Sequence, residues 1–273
     1  MSRERPIVWF GDEACLDVAC AGGKGASLAA MTAAGLPVPP GFVVASAVLE
    51  RSVDAARLRE LALAADHEAA EGLVLDAEPP AGLGEAYERL GGGPVAVRSS
   101  ACAEDSEAAS YAGQQETYLN VSGTDEVRRR VVDCWASFFS ERALFYRARK
   151  GSLDDLRMAV VVQQMVEPER SGVLFTVDPV QRRRDRMVVE AIFGLGEQVV
   201  SGEATPDHYV VDRAGAPKHE RLVNGGVLAA KELARLAELG RSLEERFGCP
   251  QDVEWAIAGG ELYLLQSRPV TTL

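Results

Sequence analysis

Apolar residues recur along this chain at two spacings, one typical of helices and one typical of short buried strands. Leucines at positions 233, 236, 239 and 243 lie on one side of a helix predicted over 231–247. A run of small residues begins at Gly22 and stops at Gly35, and prolines follow, as is usual beyond a helix end. The helices predicted in this way cover 22–34, 46–65, 125–149 and 231–247, with a short one between 82 and 93.

Short apolar runs bounded by glycine, proline or polar residues predict the strands. They cover 42–44, 95–97, 117–121, 160–165, 173–177, 187–191, 209–211, 252–257 and 262–266. Helices and strands do not alternate regularly, so a doubly wound parallel sheet is not favoured. The chain has 273 residues, enough for one large domain or two packed lobes. We therefore predict a mixed α+β fold.

The last two predicted strands form a hairpin whose register decides which side chains share a face. A two-residue turn at Gly259-Gly260 would set Glu254 opposite Leu265 and would mix polar and apolar residues on each face. A three-residue loop over 259–261 keeps the faces separate, and burial specifies register in this way. We therefore predict the three-residue loop, with the facing pairs Ala256 and Leu264, Glu254 and Gln266, and Asp252 and Arg268.

This register places a carboxylate, a carboxamide and an arginine on one face, with facing Cβ atoms about 5 Å apart. Mg²⁺ bound to a polyphosphate takes few oxygen ligands from the protein and several from phosphate. Glu254 and Gln266 are therefore candidate metal ligands, and Arg268 is a candidate phosphate-binding residue. The alternative is a cross-strand polar pair on a solvated face, with Arg268 bridging Asp252.

A glycine-rich segment offers a second phosphate-binding candidate. Gly22-Gly23-Lys24-Gly25 opens a predicted helix, where glycines let backbone N–H groups approach an anion and the helix N-terminus attracts it. Lys24 would add a point charge. The spacing differs from the Walker pattern, so a glycine-rich turn with a solvated lysine is an alternative of at least equal weight.

Two further segments suit the same ligand. Arg98 follows a buried strand and could clamp a phosphate with two hydrogen bonds, or it could instead pair with Glu104 or Asp105. The small-residue loop 110–115 leads into a strand and could fold over phosphates as a flap, although an ordinary loop is the commoner case.

Composition excludes several classes of function. The net charge of −12 disfavours nucleic acid and anionic lipid as partners. The sequence has no run of eighteen apolar residues and no signal-peptide core, so we expect a cytoplasmic protein. Its five cysteines lack C-x-x-C spacing, and its three histidines lack metal-ligand spacing. Neither a disulfide framework nor a zinc site is predicted.

Several long phrases, in this order, resemble one family. They are GGKGASLAAMTAAGLPVPPGF from Gly22, VAVRSSACAEDSEAASYAGQQETYLNV from Val95, and FGCPQDVEWAIAGGELYLLQSRPVTTL from Phe247. They look like the N-terminal nucleotide-binding domain of phosphoenolpyruvate synthase, pyruvate phosphate dikinase and rifampin phosphotransferase. The resemblance covers nearly the whole chain and implies an ATP-grasp fold with mixed or antiparallel sheets. Its two lobes, about 1–163 and 164–273, would clasp ATP.

The resemblance also implies a role for each matching residue. Lys24, Arg98 and Arg268 would contact phosphates, and Glu254 and Gln266 would hold Mg²⁺. The remaining nucleotide-binding positions would be a phosphate flap, a residue near the nucleotide and a hinge that meets adenine through backbone groups: Ser110, Ala112, Gly113 and Gln114; Thr117; and Gln164, Met165 and Val166. Two positions depart from the family, because Gln164 stands where lysine is frequent and Ile192 where serine is frequent.

The function implied is that of an ATP- and Mg²⁺-dependent phosphotransferase component. Family members carry a phosphorylated histidine in a Thr-Ser-His-type motif on a further domain, and this sequence has no such motif. The acceptor would be a histidine on a separate protein or on a downstream region, and His208 is not a plausible relay. The alternatives are a stand-alone kinase or ligase acting on a small molecule, and a non-catalytic nucleotide-binding module.

Overall fold

The computed structural model describes residues 5–102, 116–150, 153, 155–196, 199, 202 and 204–270. The chain divides into two compact units. The first comprises Met1–Gly35 with Pro39–Met165, and the second comprises Leu36–Val38 with Val166–Leu273. Helices and strands do not alternate regularly and neighbouring strands are antiparallel, so the predicted α+β class is confirmed.

The first unit is built on a five-stranded sheet. In chain order its strands are β1 (Ile7–Trp9), β2 (Gly41–Val44), β3 (Val95–Ala101), β4 (Thr117–Val121) and β5 (Met158–Gln164). They lie in the order β1-β2-β5-β3-β4, and neighbouring strands are antiparallel. The long strand β3 is therefore flanked by β5 and β4, in the interior of the sheet.

Helices cover both faces of this sheet. They are α1 (Val18–Ala33), α2 (Ala47–Ser52), α3 (Ala55–Leu63), α4 (His67–Leu75), α5 (Leu83–Arg89), α6 (Thr124–Ser137) and α7 (Glu141–Lys150). Side chains alternate between faces along a strand. Phe42, Val97 and Val160 belong to an apolar core that also contains Trp135 of α6. The residues that alternate with these along the strands, such as Val43 and Ser100, point to the opposite face, which α1 covers.

Two helices predicted as continuous are each broken beside a short polar residue. The helix predicted over 46–65 breaks at Val53, and Asp54 caps the second half by accepting a hydrogen bond from the Arg57 N–H at 3.0 Å. The helix predicted over 125–149 breaks near Ser140, whose hydroxyl donates to the Ser137 carbonyl at 2.9 Å and accepts from the Ala143 N–H. Short polar side chains compete with the helix for backbone groups, which apolar periodicity does not reveal.

The second unit is a six-stranded antiparallel sheet with one long helix. Its strands are β6 (Arg170–Phe175), β7 (Arg186–Phe193), β8 (Asp207–Asp212), β9 (Pro217–Arg221), β10 (Gln251–Ala258) and β11 (Glu261–Pro269), in the order β11-β10-β6-β7-β8-β9. Strand β9 is fully exposed at the sheet edge and was not predicted.

The helix of the second unit, α8 (Ala230–Phe247), packs its leucine side on the sheet. Its buried residues include Leu233, Leu236 and Leu243. Gly240 lies close to Leu174 and Met187, which face α8 from β6 and β7. The opposite face of the sheet carries the polar residues considered below. None of the helices within the described parts of the chain has both the length and the apolar character needed to cross a bilayer.

Candidate functional site

The hairpin of β10 and β11 turns differently from the prediction. Gly259 and Gly260 form a two-residue turn with φ of 58° and 75°, and Ala258 pairs with Glu261. Both turn positions need the left-handed region, which glycine adopts at no steric cost, so two glycines favour this tight turn. The predicted three-residue loop is wrong, and so is its pair of Ala256 with Leu264, because Ala256 pairs with Tyr263.

A bulge then restores the pairing at the polar end of the hairpin. Trp255 pairs with Leu264, but Glu254 pairs with Gln266, so Leu265 is an extra residue in β11. From such a bulge onward, each side chain of β11 lies on the face opposite to the one it would occupy in an unbroken ladder. The predicted pairs of Glu254 with Gln266 and of Asp252 with Arg268 are therefore confirmed, although the bulge and not the loop produces them.

Arg268 and Asp252 form an ion pair beside the Glu254–Gln266 pair. The Arg268 Nε lies 2.8 Å from Asp252 Oδ2, and the Asp252 side chain is only 12% exposed. Burial is the largest cause that raises the pKa of Asp252 above its ordinary value; the Arg268 guanidinium lowers this pKa in part, and Glu254 and Glu190 raise it further. The predicted alternative, in which Arg268 bridges Asp252, thus describes a real contact. Its solvated setting is observed only in part, because Gln266 is buried whereas the Arg268 side chain is 51% exposed.

Sequence reasoning did not identify Glu190 as part of this face. Strand pairing aligns Glu190 on β7, Val173 on β6, Glu254 on β10 and Gln266 on β11 in one row across the sheet. Facing residues of antiparallel strands share a face, so both glutamates project on the side away from α8. The signal was present in the sequence, since Glu190 is a carboxylate between the apolar residues Val189 and Ala191 of a predicted strand.

His208 extends the same row to β8. It pairs with Glu190, and its Nδ1 lies 3.4 Å from Glu190 Oε1. Strands β8 and β10 are separated by β7 and β6. Three strand spacings place the backbone of His208 about 14 Å from that of Glu254. That His208 is not the phosphate acceptor stays a prediction.

In the first unit, Lys24 lies just after a break in α1. Gly22 has φ of 68° and interrupts the helix, so that a new helical segment begins at Gly23. The Lys24 side chain is buried, and its Nζ donates to the Ser99 carbonyl of β3 at 3.2 Å. The alternative of a solvated lysine on a glycine turn is therefore not what the structure shows.

Arg98 lies beside two other residues of the same face. Strand β3 continues to Ala101, so Arg98 is inside the strand and not beyond its predicted end at Val97. Arg98 pairs with Thr117 of β4 and with Val161 of β5, and its side chain is buried. The structure thus brings Arg98 and Thr117 side by side and places Lys24 against the next residue of β3.

The predicted flap and hinge differ in what the structure describes. Ser110, Ala112, Gly113 and Gln114 lie outside the described residues, as do Glu104 and Asp105. The hinge begins at the end of β5, where the N–H groups of Gln164 and Met165 donate to the carbonyls of Pro40 and Pro94, each at 2.9 Å. Those two N–H groups are occupied, which makes Val166 the remaining N–H donor of the predicted hinge.

A cavity of about 450 Å³ in the first unit contains none of the predicted residues. It is lined by α4, α6 and α7 together with Glu116 and Tyr118. Tyr118 pairs with Val97, one position out of step with Thr117 and Arg98, so it projects from the opposite face of the sheet.

In the described parts of the chain, no three histidine, cysteine or acidic side chains come together as a metal site. A metal at the hairpin of β10 and β11 would be coordinated by Glu254, Gln266 and oxygens of the bound ligand.

Comparison with known proteins identifies the family. A family model described as the pyruvate phosphate dikinase AMP/ATP-binding domain matches residues 18–225 and 215–273. The chain is 40% identical over 316 residues to a probable phosphoenolpyruvate synthase of Archaeoglobus fulgidus, covering 98% of this chain and 42% of that protein. It is 42% identical over 302 residues to a rifampicin phosphotransferase of Streptomyces sviceus, covering 94% of this chain and 35% of that protein.

The chain spans less than half the length of these two relatives. Among solved structures, a biotin carboxylase complex of Campylobacter jejuni aligns over 97% of this chain and 43% of that chain, with 14% identity and a TM-score of 0.42. The family model extends from residue 18 to residue 273, and the relatives confirm the resemblance. This chain belongs to the pyruvate phosphate dikinase AMP/ATP-binding domain family.

Proposed function

We propose that this chain is the ATP-binding component of a phosphotransferase, and that it prepares the nucleotide for transfer to a histidine on another protein or region. The observation that carries the proposal is the pairing of Glu254 with Gln266 beside Asp252 and Arg268, in a chain that belongs to a nucleotide-binding family. The names of the relatives, phosphoenolpyruvate synthase and rifampicin phosphotransferase, support the same class of reaction.

Magnesium would be held by the facing oxygens of Glu254 and Gln266. One carboxylate and one carboxamide leave most of the octahedral positions of Mg²⁺ to phosphate oxygens and water, which is the usual arrangement with nucleotides. The bound metal would neutralise charge on the phosphates. The burial of Gln266 fixes its carboxamide in place and fits this role.

Cationic side chains would bind the phosphate oxygens. Lys24 and Arg98 are buried cations in a protein of net charge −12, and Arg268 is oriented by Asp252. Within each unit, such cations concentrate positive potential locally in a protein that is otherwise strongly negative. Adenine would be recognised by backbone groups of Gln164, Met165 and Val166. The Val166 N–H would be the donor, because the N–H groups of Gln164 and Met165 already donate to other carbonyls.

The first expected result is that Mg·ATP raises the melting temperature of this protein. A ligand that binds only the native state stabilises it by about 2.7 kcal/mol at one hundred times its Kd. Differential scanning fluorimetry with ATP, with and without Mg²⁺, would measure the shift, and Lys24→Met would reduce it. Absence of any shift at saturating Mg·ATP would count against nucleotide binding altogether.

The second expected result concerns the metal ligands. Glu254→Ala and Gln266→Ala should each weaken Mg²⁺-dependent ATP binding by at least about tenfold, because each removes one of the two protein oxygens. Calorimetric titration would give the Kd at several Mg²⁺ concentrations. Glu261→Ala is the matched control, because Glu261 lies at the far end of the same hairpin and is exposed. Equal losses in all three variants would rule out a specific metal role.

A further inference from the structure

A buried hydroxyl lies at the break in helix α1. Ser100 is completely buried on β3, and its Oγ donates to the Ala21 carbonyl at 2.9 Å and accepts from the Gly25 N–H at 3.2 Å. In an unbroken α-helix the N–H of residue 25 would donate directly to the carbonyl of residue 21. The Ser100 hydroxyl is therefore placed between the two partners of one helical hydrogen bond.

A hydroxyl is suited to this position because it donates and accepts at the same atom. Insertion of a side chain into the helical hydrogen-bond ladder is a recognised cause of sharp kinks. Here the kink occurs at Gly22, where φ is 68°. Ser100 thus acts as an N-cap from a distant strand, in the place of the side chain that Gly22 lacks.

The backbone at the kink is packed directly against β3. A Cβ added to Gly22 would lie 2.1 Å from the Ser100 carbonyl oxygen, so only glycine allows this approach. The turn before the kink is held from a second side, because the Ser46 hydroxyl donates to the Ala19 carbonyl at 2.6 Å. Two buried serines therefore fix the carbonyl ends of this first turn, and the new helix N-terminus begins immediately after it.

Three consecutive residues of β3 hold the glycine segment and its charges. Arg98 supplies a guanidinium, the Ser99 carbonyl accepts from the Lys24 Nζ, and Ser100 holds the break that precedes Lys24. Lys24 is the second residue of the helical segment that starts at Gly23. Its direction consequently depends on where that segment begins, and the Ser100 hydroxyl is hydrogen-bonded on both sides of this point.

We propose that Ser100 is a positioning residue for phosphate binding: its hydroxyl keeps α1 broken at Gly22, so that Lys24 and the helix N-terminus after the break face the phosphates. This inference rests on the proposed binding of ATP. Ser100 itself does not touch the nucleotide. Loss of its hydroxyl lets the Gly25 N–H bond directly to the Ala21 carbonyl, and the helix then closes and carries Lys24 away from its place.

The test compares Ser100→Ala with Thr32→Val. Thr32 lies on the same helix, and its hydroxyl donates to the Leu28 carbonyl at 2.8 Å, far from the break. Each protein is titrated with Mg·ATP and with adenosine, which has no phosphate. Amide NMR signals of residues 22–25 are recorded without nucleotide, and urea unfolding reports stability.

We expect Ser100→Ala to weaken Mg·ATP binding about tenfold and to leave the adenosine Kd within about twofold. The amide signals of residues 22–25 should move in Ser100→Ala and stay in place in Thr32→Val. Equal losses for ATP and adenosine, unchanged ATP affinity, or unmoved amide signals would each overturn the inference. If the unmodified protein fails to bind Mg·ATP, the proposed function fails first, and the amide signals still show whether Ser100 sets the break.

Discussion

Replacement of Asp207 by asparagine is expected to lower the free energy of unfolding by about 4 kcal/mol, one of the largest effects available to a single polar substitution here. The Asp207 carboxylate is fully buried at the start of β8. Its Oδ1 accepts from the N–H groups of Val223 and Asn224, each at 2.6 Å, and its Oδ2 accepts from those of Gly226 and Val227 at 2.9 and 2.8 Å.

The size of the effect follows from the number of donors. Asparagine keeps one carbonyl oxygen and can serve two of the four N–H groups, while its NH₂ group faces the other two as a further donor. Each buried N–H left without an acceptor costs about 1–3 kcal/mol. The segment after β9 would lose part of its attachment to the sheet, and α8 begins only a few residues later at Ala230.

The effect should also depend on pH. Burial raises the pKa of Asp207, but the four backbone N–H groups outweigh it and hold the pKa below its ordinary value. A lowered pKa in the folded state means that the carboxylate stabilises the protein fully above the unfolded-state pKa of about 3.9. This contribution is lost as the pH falls through the folded-state pKa. The stability difference between Asp207→Asn and the unmodified protein should therefore shrink in acid.

Asp212 of the same strand provides a matched control. Its Oδ1 alone accepts from both the Ala214 and Ala216 N–H groups, each at 2.9 Å, so asparagine can retain both bonds. Its other oxygen faces Lys218 in an exposed ion pair, which is worth little. Urea unfolding at neutral and acid pH should show a loss below about 1 kcal/mol for Asp212→Asn. Similar losses for both variants would mean that backbone bonding to Asp207 is not the cause.

The polar end of the hairpin shows how far the sequence could predict the site. Alternation of polar and apolar residues near Glu254 and Gln266 favoured their pairing, and the structure agrees. Alternation near Ala256 belongs to a different register, because the bulge at Leu265 shifts one strand by a residue. A bulge is a feature of two strands packed together, and a sequence pattern read along one strand at a time does not contain it.

The glycine segment illustrates the other limit. Gly22 and Lys24 were identified as phosphate-binding candidates from local sequence, and burial of the Lys24 side chain in the structure is compatible with that role. The break that places Lys24 depends on Ser100, which lies 75 residues from Gly25 in the chain. Helix propensity and spacing describe neighbours in sequence, whereas a cap supplied by another strand becomes visible only once the sheet has formed.

The largest rate effect is expected when a histidine acceptor is added to this chain. Phosphoryl transfer depends chiefly on holding a nucleophile in line with the phosphorus, and such positioning is worth about 7–11 kcal/mol. We expect none of the three histidines to meet that requirement, because none of them stands in a recognisable phosphohistidine motif. The chain alone should consequently hydrolyse ATP slowly and retain no stable phosphate.

The assay incubates the chain with labelled ATP and follows label on protein together with ADP and AMP. The acceptor is the part of the Archaeoglobus fulgidus relative that lies outside the region matched by this chain, or a candidate protein with a phosphorylatable histidine. Nucleotide consumption should rise at least about a thousandfold, which corresponds to about 4 kcal/mol and lies within what positioning can supply. Acid-labile phosphate should collect on the acceptor, and Glu254→Ala should abolish it whereas His208→Ala should not. Rapid phosphorylation of a small molecule by the chain alone would refute transfer to a histidine and would identify a stand-alone kinase or ligase instead.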